Sequence, residues 1–531
     1  MGEEIVLGPG ANDAVLINRG EPTGFDTLRG GQGNDTLGFE FGVEGYILGD
    51  LGDDFITGTV PGKAGNIFGG EGDDTIVGLG GPSFMQGNQG DDSIVGGESN
   101  DSIRGGQDDD TIEGNLGNDT IYGDNGDDFI VGDDPSFGIG FGSASMTRDI
   151  ILGNQGEDTI FGSDGSDTIY GGQDNDMIDI FTEDLDHTGG SDVIFGDLGD
   201  DTIGREDSGN ANNPDNDTLL GGEGDDSVVG GYGDDDLFGD EGNDTVLGGL
   251  AGRDFLSGGD GDDSLLGGDE AFPDPNFMFG DTIEGGAGDD TIMGEGGDDL
   301  IDGGIGDDNI EGGNGRDTIF GGEGEDEILG GDGNDIIEGG DDIDILFGDN
   351  GNDTILGGDG DDAIGGEDGD DSLIGGLGED ALEGGAGSDT LNGNEVGAVS
   401  ADVGDLFIYS LMDVTEEDPL LGGPQAVTQQ QADYIQSFDV NNDILVIEDR
   451  TFTSVGIPVV YGDQFSAANA DGIGTADLGQ IGAAQVGNDT VIYLENTGLG
   501  TSYNAGFDVA LATLLGVQAN TVTSNNFDLI E

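Results

Sequence analysis

An aspartate recurs at every ninth residue over a long part of the chain, and a carboxylate repeated at fixed spacing is first of all a ligand for cations. From Gly285 to Asn392 the sequence divides into twelve nonapeptides of the form G-G-x-G-x-D-x-U-x, with U a large aliphatic residue. The sixth position is Asp in all twelve: Asp290, Asp299, Asp308, Asp317, Asp326, Asp335, Asp344, Asp353, Asp362, Asp371, Asp380 and Asp389. The eighth is Ile or Leu throughout, from Ile292 to Leu391. Chance does not hold two independent columns in register over twelve copies. Shorter runs in the same phase carry Asp92, Asp101, Asp110, Asp119 and Asp128, then Asp158, Asp167 and Asp176, then Asp226, Asp235 and Asp244. With Asp35, Asp54, Asp74, Asp201 and Asp263 they make up the candidate metal ligands. A charge run is ordinarily a solvated face. Such a face would accept Glu and Asn at the sixth position, and the twelve-copy run contains neither.

The elements that must position these carboxylates follow from the same nine residues. Glycines suit a tight turn that needs positive φ or close backbone approach, and the three residues after the Asp suit a short strand. On a strand the aliphatic residue points one way and its two neighbours the other. Two nonapeptides then make one coil of eighteen residues, with Ile and Leu meeting between two parallel sheets. Two large apolar side chains per coil are too few to offset the ordering of eighteen residues. The Asp columns supply the remainder. Coils spaced about 4.8 Å apart bring Asp over Asp, which repel unless a cation intervenes. Carboxylate and turn-carbonyl oxygens in tolerant geometry favour Ca²⁺ over the stricter Mg²⁺, with of order one ion per well-formed nonapeptide. Zinc and copper are poorly served without Cys and with a single His. Binding energy at such a site is folding energy. Degenerate copies, with Glu44 or Ser83 where Asp is expected, weaken the sites beside them.

Composition agrees with a cation-loaded solenoid. The chain has 531 residues, 118 Asp plus Glu against 9 Lys plus Arg, and a net charge of −109. That excludes nucleic acid and anionic membranes as partners, since both require a basic face. Gly, at 115 residues, is enriched without a G-X-Y period, so the chain is not collagen. Cysteine is absent, which removes disulfides and Cys nucleophiles. Neither a signal-peptide pattern nor an apolar run of membrane-spanning length is expected from the sequence.

Other chemistries find little support. His187, the single histidine, sits beside Asp184 and Asp186 in an irregular insert and reads as a surface-loop residue. The metalloprotease motif H-E-x-x-H needs two histidines, and no G-x-S-x-G elbow or P-loop occurs. Asp pairs such as Asp289-Asp290 resemble catalytic dyads, but a unique active site would not recur at every turn. A threonine ladder for ice binding breaks down at eighteen-residue spacing: Thr291, Asn309, Glu327, Ile345, Ala363, Ala381.

Three regions emerge: residues 1–29 as an N-terminal cap or strand segment, residues 30–393 as the repeat region with inserted loops, and residues 394–531 as a β-rich C-terminal domain. The inserts fall near Phe39–Ile47, Thr59–Phe68, Asp134–Asp149, Ile180–Asp192, Arg205–Asp215 and Asp269–Gly280.

The nonapeptide, as in Gly312-Gly313-Asn314-Gly315-Arg316-Asp317-Thr318-Ile319-Phe320, resembles the RTX or haemolysin-type calcium-binding repeat. The resemblance implies an all-β fold, a right-handed parallel β-roll, with Ca²⁺ held by the sixth-position Asp and by carbonyls of the Gly-rich turns. It also implies secretion through type I machinery, read from the C-terminus. The segments Asp405-Leu406-Phe407-Ile408-Tyr409 and Asn526-Phe527-Asp528-Leu529-Ile530-Glu531 are similar to the secretion domain of serralysin-type proteins. The expectation is a secreted or cell-surface calcium-binding protein without catalysis, in a structural, surface or binding role. An extracellular enzyme, for example polysaccharide-modifying, and a self-assembling surface-layer or adhesion subunit are the alternatives.

Overall fold

The computed structural model describes residues 4–7, 12, 14–17, 26–39, 45–57, 65–78, 81–133, 148–163, 165–178, 190–204, 216–268 and 280–394, together with tail strands at 406–410, 433–436, 444–448, 480–486, 489–495, 509–514 and 527–528. The chain divides into two compact units, Met1–Pro273 and Asp274–Glu531. The described residues contain strands and no helix. No helix among them is long and apolar enough to cross a membrane.

In the first unit successive strands alternate between two sheets, and each pairs in parallel with the strand one coil away. Ser102–Gln107 pairs with Thr120–Asn125 in one sheet, and Ser93–Gly97 pairs with Thr111–Asn115 in the other. Cα partners are eighteen residues apart, as Ile103 and Ile121 are. The aliphatic column points inward: Ile94, Ile103, Ile112, Ile121 and Ile130 have no exposed surface. The second unit repeats the scheme. Its outward column is Thr291, Asn309, Glu327, Ile345, Ala363 and Ala381, each in register with the next, so the broken threonine ladder of the sequence is a feature of the folded face. The fold is an all-β parallel solenoid.

Three features go beyond the sequence reading. The strands run longer than three residues, for example Thr282–Ala287, because parallel pairing continues through the Gly-rich turn and sets Gly286 against Gly304. The inserts leave the register of the coils intact. Ile121 pairs with Ile151 across 30 residues, and Ile169 pairs with Ile194 across 25. An insert therefore lengthens a turn without shifting the strand that follows. Pairing also extends past both ends of the repeat region. Glu4–Val6 pairs in parallel with Asp26–Gln32, and Leu406–Ser410 with Ala381–Glu383. Among the described residues antiparallel pairing occurs only in the tail, where Asp489–Glu495 pairs with Gln480–Val486 and with Val509–Leu514.

Candidate metal centres

Each sixth-position Asp ends a Gly-rich turn just before its strand, and the stacking of coils buries it. Asp290, Asp308, Asp326, Asp344, Asp362 and Asp380 are 0–2% exposed. Burial of a charge requires partners, and the backbone supplies half of them. The N–H of Asp290 donates to Oδ1 of Asp308 at 2.8 Å, and that of Asp308 to Oδ1 of Asp326 at 2.9 Å. On the opposite edge the same bond joins Asp299 to Asp317 and Asp317 to Asp335, both at 2.8 Å. Each Asp carbonyl accepts from the first strand residue of the next coil, as Asp290 accepts from Asn309 at 2.9 Å.

The second carboxylate oxygen has no such partner. Oδ2 of Asp35, Asp54, Asp74, Asp92, Asp110, Asp119 and Asp128, and of every column Asp from Asp290 to Asp389, is buried without a hydrogen bond. The first glycine of the repeat shows where it points. A methyl on Gly294 would lie 2.6 Å from Asp299 Oδ2 and 2.5 Å from the carbonyl oxygen of Gly312, one coil on. On Gly330 it would lie 2.8 Å from Asp335 Oδ2 and 2.9 Å from Gly348 O. A carboxylate oxygen and a turn carbonyl oxygen thus flank one small space that only glycine leaves open. Among the described residues no three acidic or imidazole side chains gather into a metal-binding group. The donor set is one carboxylate per turn completed by backbone carbonyls, which is oxygen-only and suits a hard cation such as Ca²⁺.

Electrostatics point the same way. Burial pushes the carboxyls of Asp74, Asp110, Asp119, Asp176 and Asp371 up to about 8, against an ordinary 3.8, and the like charges of neighbouring column members add to it. Asp344 is raised to about 7 by burial and by Asp326 and Asp362, although the N–H of Asp326 pulls downward. These are carboxylates that the folded chain disfavours as anions unless positive charge is brought to them.

Two positions depart from the pattern. Asp101 takes the N–H of Ser83 on Oδ1 at 2.6 Å and the N–H of Gly97 on Oδ2 at 2.9 Å, so both its oxygens are spent. Ser83 fills the column but turns its hydroxyl to the Gly81 carbonyl at 2.8 Å, bringing no carboxylate. Asp101 is therefore a poorer ligand than its place in the repeat suggests. Glu44 and His187 lie outside the described residues.

The structure also places in the columns residues that the nine-residue phase missed. Asp149, Asp192, Asp254 and Asp281 are 1–4% exposed, and Asp217 joins them by accepting the Asp192 N–H at 2.8 Å. Four of them follow an insert that interrupts the G-G-x-G half of the motif, and Asp254 follows a turn with one extra residue, Gly248-Gly249-Leu250-Ala251-Gly252-Arg253. The surviving D-x-U half, as in Asp192-Val193-Ile194, is the signal that identifies them. The fifth position has a role of its own. Asp73 N–H donates to Asp53 Oδ1 at 3.2 Å, Asp91 to Asp73 at 3.1 Å and Asp109 to Asp91 at 3.2 Å. This exposed ladder runs opposite in sense to the buried one, and each recurring Asp pair forms two clips between coils.

The model of the RTX calcium-binding nonapeptide repeat matches residues 23–42, 68–103, 104–134, 145–178, 188–203, 212–246, 248–271, 278–310, 302–337, 338–373 and 365–395. These segments make up more than half of the chain, which therefore belongs to the family of proteins with RTX calcium-binding repeats. Among solved structures, the AlgE6R3 subunit from the Azotobacter vinelandii mannuronan C5-epimerase is 26% identical, with 36% of this chain and 80% of that one covered and a TM-score of 0.13. No curated protein matches.

Proposed function

We propose that the chain is secreted and folds outside the cell on Ca²⁺, which the column Asp carboxylates and the turn carbonyls of adjacent coils hold between them. The single observation that carries this reading is the repeated buried Oδ2 without a hydrogen bond, set against a glycine carbonyl of the next coil. Asp149 belongs with the ligands, its Oδ2 likewise lacking a hydrogen bond, and Asp101 is left out. Extracellular modules bind Ca²⁺ with Kd of about 10⁻⁴ to 10⁻³ M, so the chain stays open and export-competent in the Ca²⁺-poor cytosol. Type I export through residues 394–531 is the route consistent with the repeat family. The role is structural or binding rather than catalytic, a reading supported by the near-identical surroundings of the carboxylates from coil to coil.

The test is a Ca²⁺ titration of the purified chain, followed by far-ultraviolet circular dichroism and light scattering, with Mg²⁺ as control. A steep gain of β signal specific to Ca²⁺ is expected, and scattering that grows with it identifies a self-assembling surface protein. Native-like β signal with cooperative melting in excess chelator overturns the reading.

A further inference from the structure

One strip of the first unit breaks the acidic character of the chain. In five consecutive coils the residue after the paired Gly positions is an amide: Gln89, Gln107, Asn125, Gln155 and Gln173 are Cα partners in sequence, and all are exposed. The same column reads Leu51 and Glu71 before them and Leu198, Glu223 and Glu241 after them. Gln86, Asn88 and Asn154 add amides beside the column, and with Gln89, Gln107, Asn125 and Gln155 they line a groove of about 400 Å³ across neighbouring coils. The carboxylate in the groove, Asp124, is held by Arg104, whose Nη1 lies 3.1 and 3.2 Å from its two oxygens. The guanidinium of Arg104 also covers the Tyr122 ring, 4.2 Å from its centroid. Tyr122, Leu152 and Tyr170 follow in successive coils and give the strip an apolar flank.

From this arrangement we propose that the groove binds an uncharged polysaccharide laid along the solenoid axis. A primary amide offers two donors and one acceptor, and a hydroxyl-rich chain answers both, whereas an ion answers only one. Asn88, Asn125 and Asn154 each donate to a backbone carbonyl, of Gln86, Gly106 and Leu152, at 3.4–3.5 Å. Gln side chains stacked at strand spacing are able to zip together, yet no hydrogen bond joins Gln89, Gln107 and Gln155, which line the groove and are exposed. Arg104 is committed to Asp124, and a polyanion meets the field of a chain with net charge −109. A polycation is drawn to the acidic columns rather than to this strip of amides. The amides repeat at about 4.8 Å along the axis, which suits a partner that is itself periodic.

The test is electrophoresis of the full chain with Ca²⁺ through native gels containing dextran, hydroxyethyl cellulose or dextran sulfate. Circular dichroism of the same sample separates a failure of the groove from a failure of calcium-driven folding. Retardation by a neutral polysaccharide and none by dextran sulfate is expected. The double variant Gln107→Ala, Asn125→Ala should weaken binding about tenfold, the loss of roughly two hydrogen bonds, while Gln32→Ala, outside the groove, leaves it unchanged. Folded protein that neither neutral gel retards, retardation by dextran sulfate alone, or equal retardation of the double variant overturns the proposal.

Discussion

The two acidic residues of each Asp pair do different work although they are neighbours in sequence. The sixth-position Asp326 is buried with one oxygen bonded and one not, whereas Asp307, the fifth-position residue of the preceding coil, is exposed and serves through one accepting oxygen. Asp326→Asn keeps an acceptor for the Asp308 N–H but turns an NH₂ or a neutral oxygen toward the Gly339 carbonyl. Its Ca²⁺ midpoint in a circular dichroism titration should rise severalfold, with a stability loss of about 1–3 kcal/mol. Asp307→Asn keeps the acceptor for the Glu325 N–H and should stay within about 0.5 kcal/mol of the parent. An equal effect of the two substitutions would show that total charge, not position, sets the affinity. The glycines are fixed by close approach between coils. Gly294 stands where a methyl would strike two oxygens, so Gly294→Ala should cost more than about 3 kcal/mol in denaturant melts with Ca²⁺ present. Gly331 has φ +105°, and its column already holds Asp349 at φ 64°. A side chain at Gly331 would nevertheless meet the Gly313 carbonyl oxygen of the preceding coil at 2.1 Å, so Gly331→Asn should cost as much as Gly294→Ala even though Asn tolerates the left-handed region.

The element of this fold is the coil, and its legibility varied with how much of the motif survived. Where G-G-x-G-x-D-x-U-x is intact, the sequence alone places the inward Ile column, the outward register and the buried Asp. The direction of the clips was not legible, because a carboxylate in a column looks the same whether its neighbour donates from above or below. Nor were Asp149, Asp192, Asp217 and Asp281, which follow inserts, or Asp254, whose turn carries one extra residue that shifts the nine-residue phase. The inserts carry a prediction of their own. Asp192 and Asp217 are 25 residues apart where an uninterrupted coil has 18. Removing seven residues from 206–213 restores the uninterrupted spacing and should change the melting free energy by less than about 1 kcal/mol, as loop closure depends only weakly on length. Removing eight leaves too short a coil and flips the alternation of the next strand. That variant should lose Ca²⁺-induced β signal in the coils beside the deletion, visible as reduced amide hydrogen-exchange protection there.

For the whole molecule, the raised carboxyls tie folding to pH. Their folded, metal-free values of about 6 to 8 lie above the ordinary 3.8, so the folded state takes up protons that the unfolded chain releases. Their contribution to the metal-free fold is fullest below 3.8 and fades as pH climbs through 6 to 8. In chelator, acidification from pH 8 to 4 should raise the β signal. With Ca²⁺ present, protons compete for the same oxygens, and the Ca²⁺ midpoint should move to higher concentration as pH falls. A metal-free chain that loses β signal on acidification would contradict the sign. Long inserts that leave the register untouched also bear on how such a molecule yields to force. A solenoid drawn from one end opens its hydrogen bonds in sequence, not all together, so an uninterrupted coil releases its 18 residues as one length of roughly 60 Å. The coil that spans 30 residues releases roughly 100 Å. Under an optical trap the protein behaves as a graduated tether, its even extension steps lengthened wherever an insert sits.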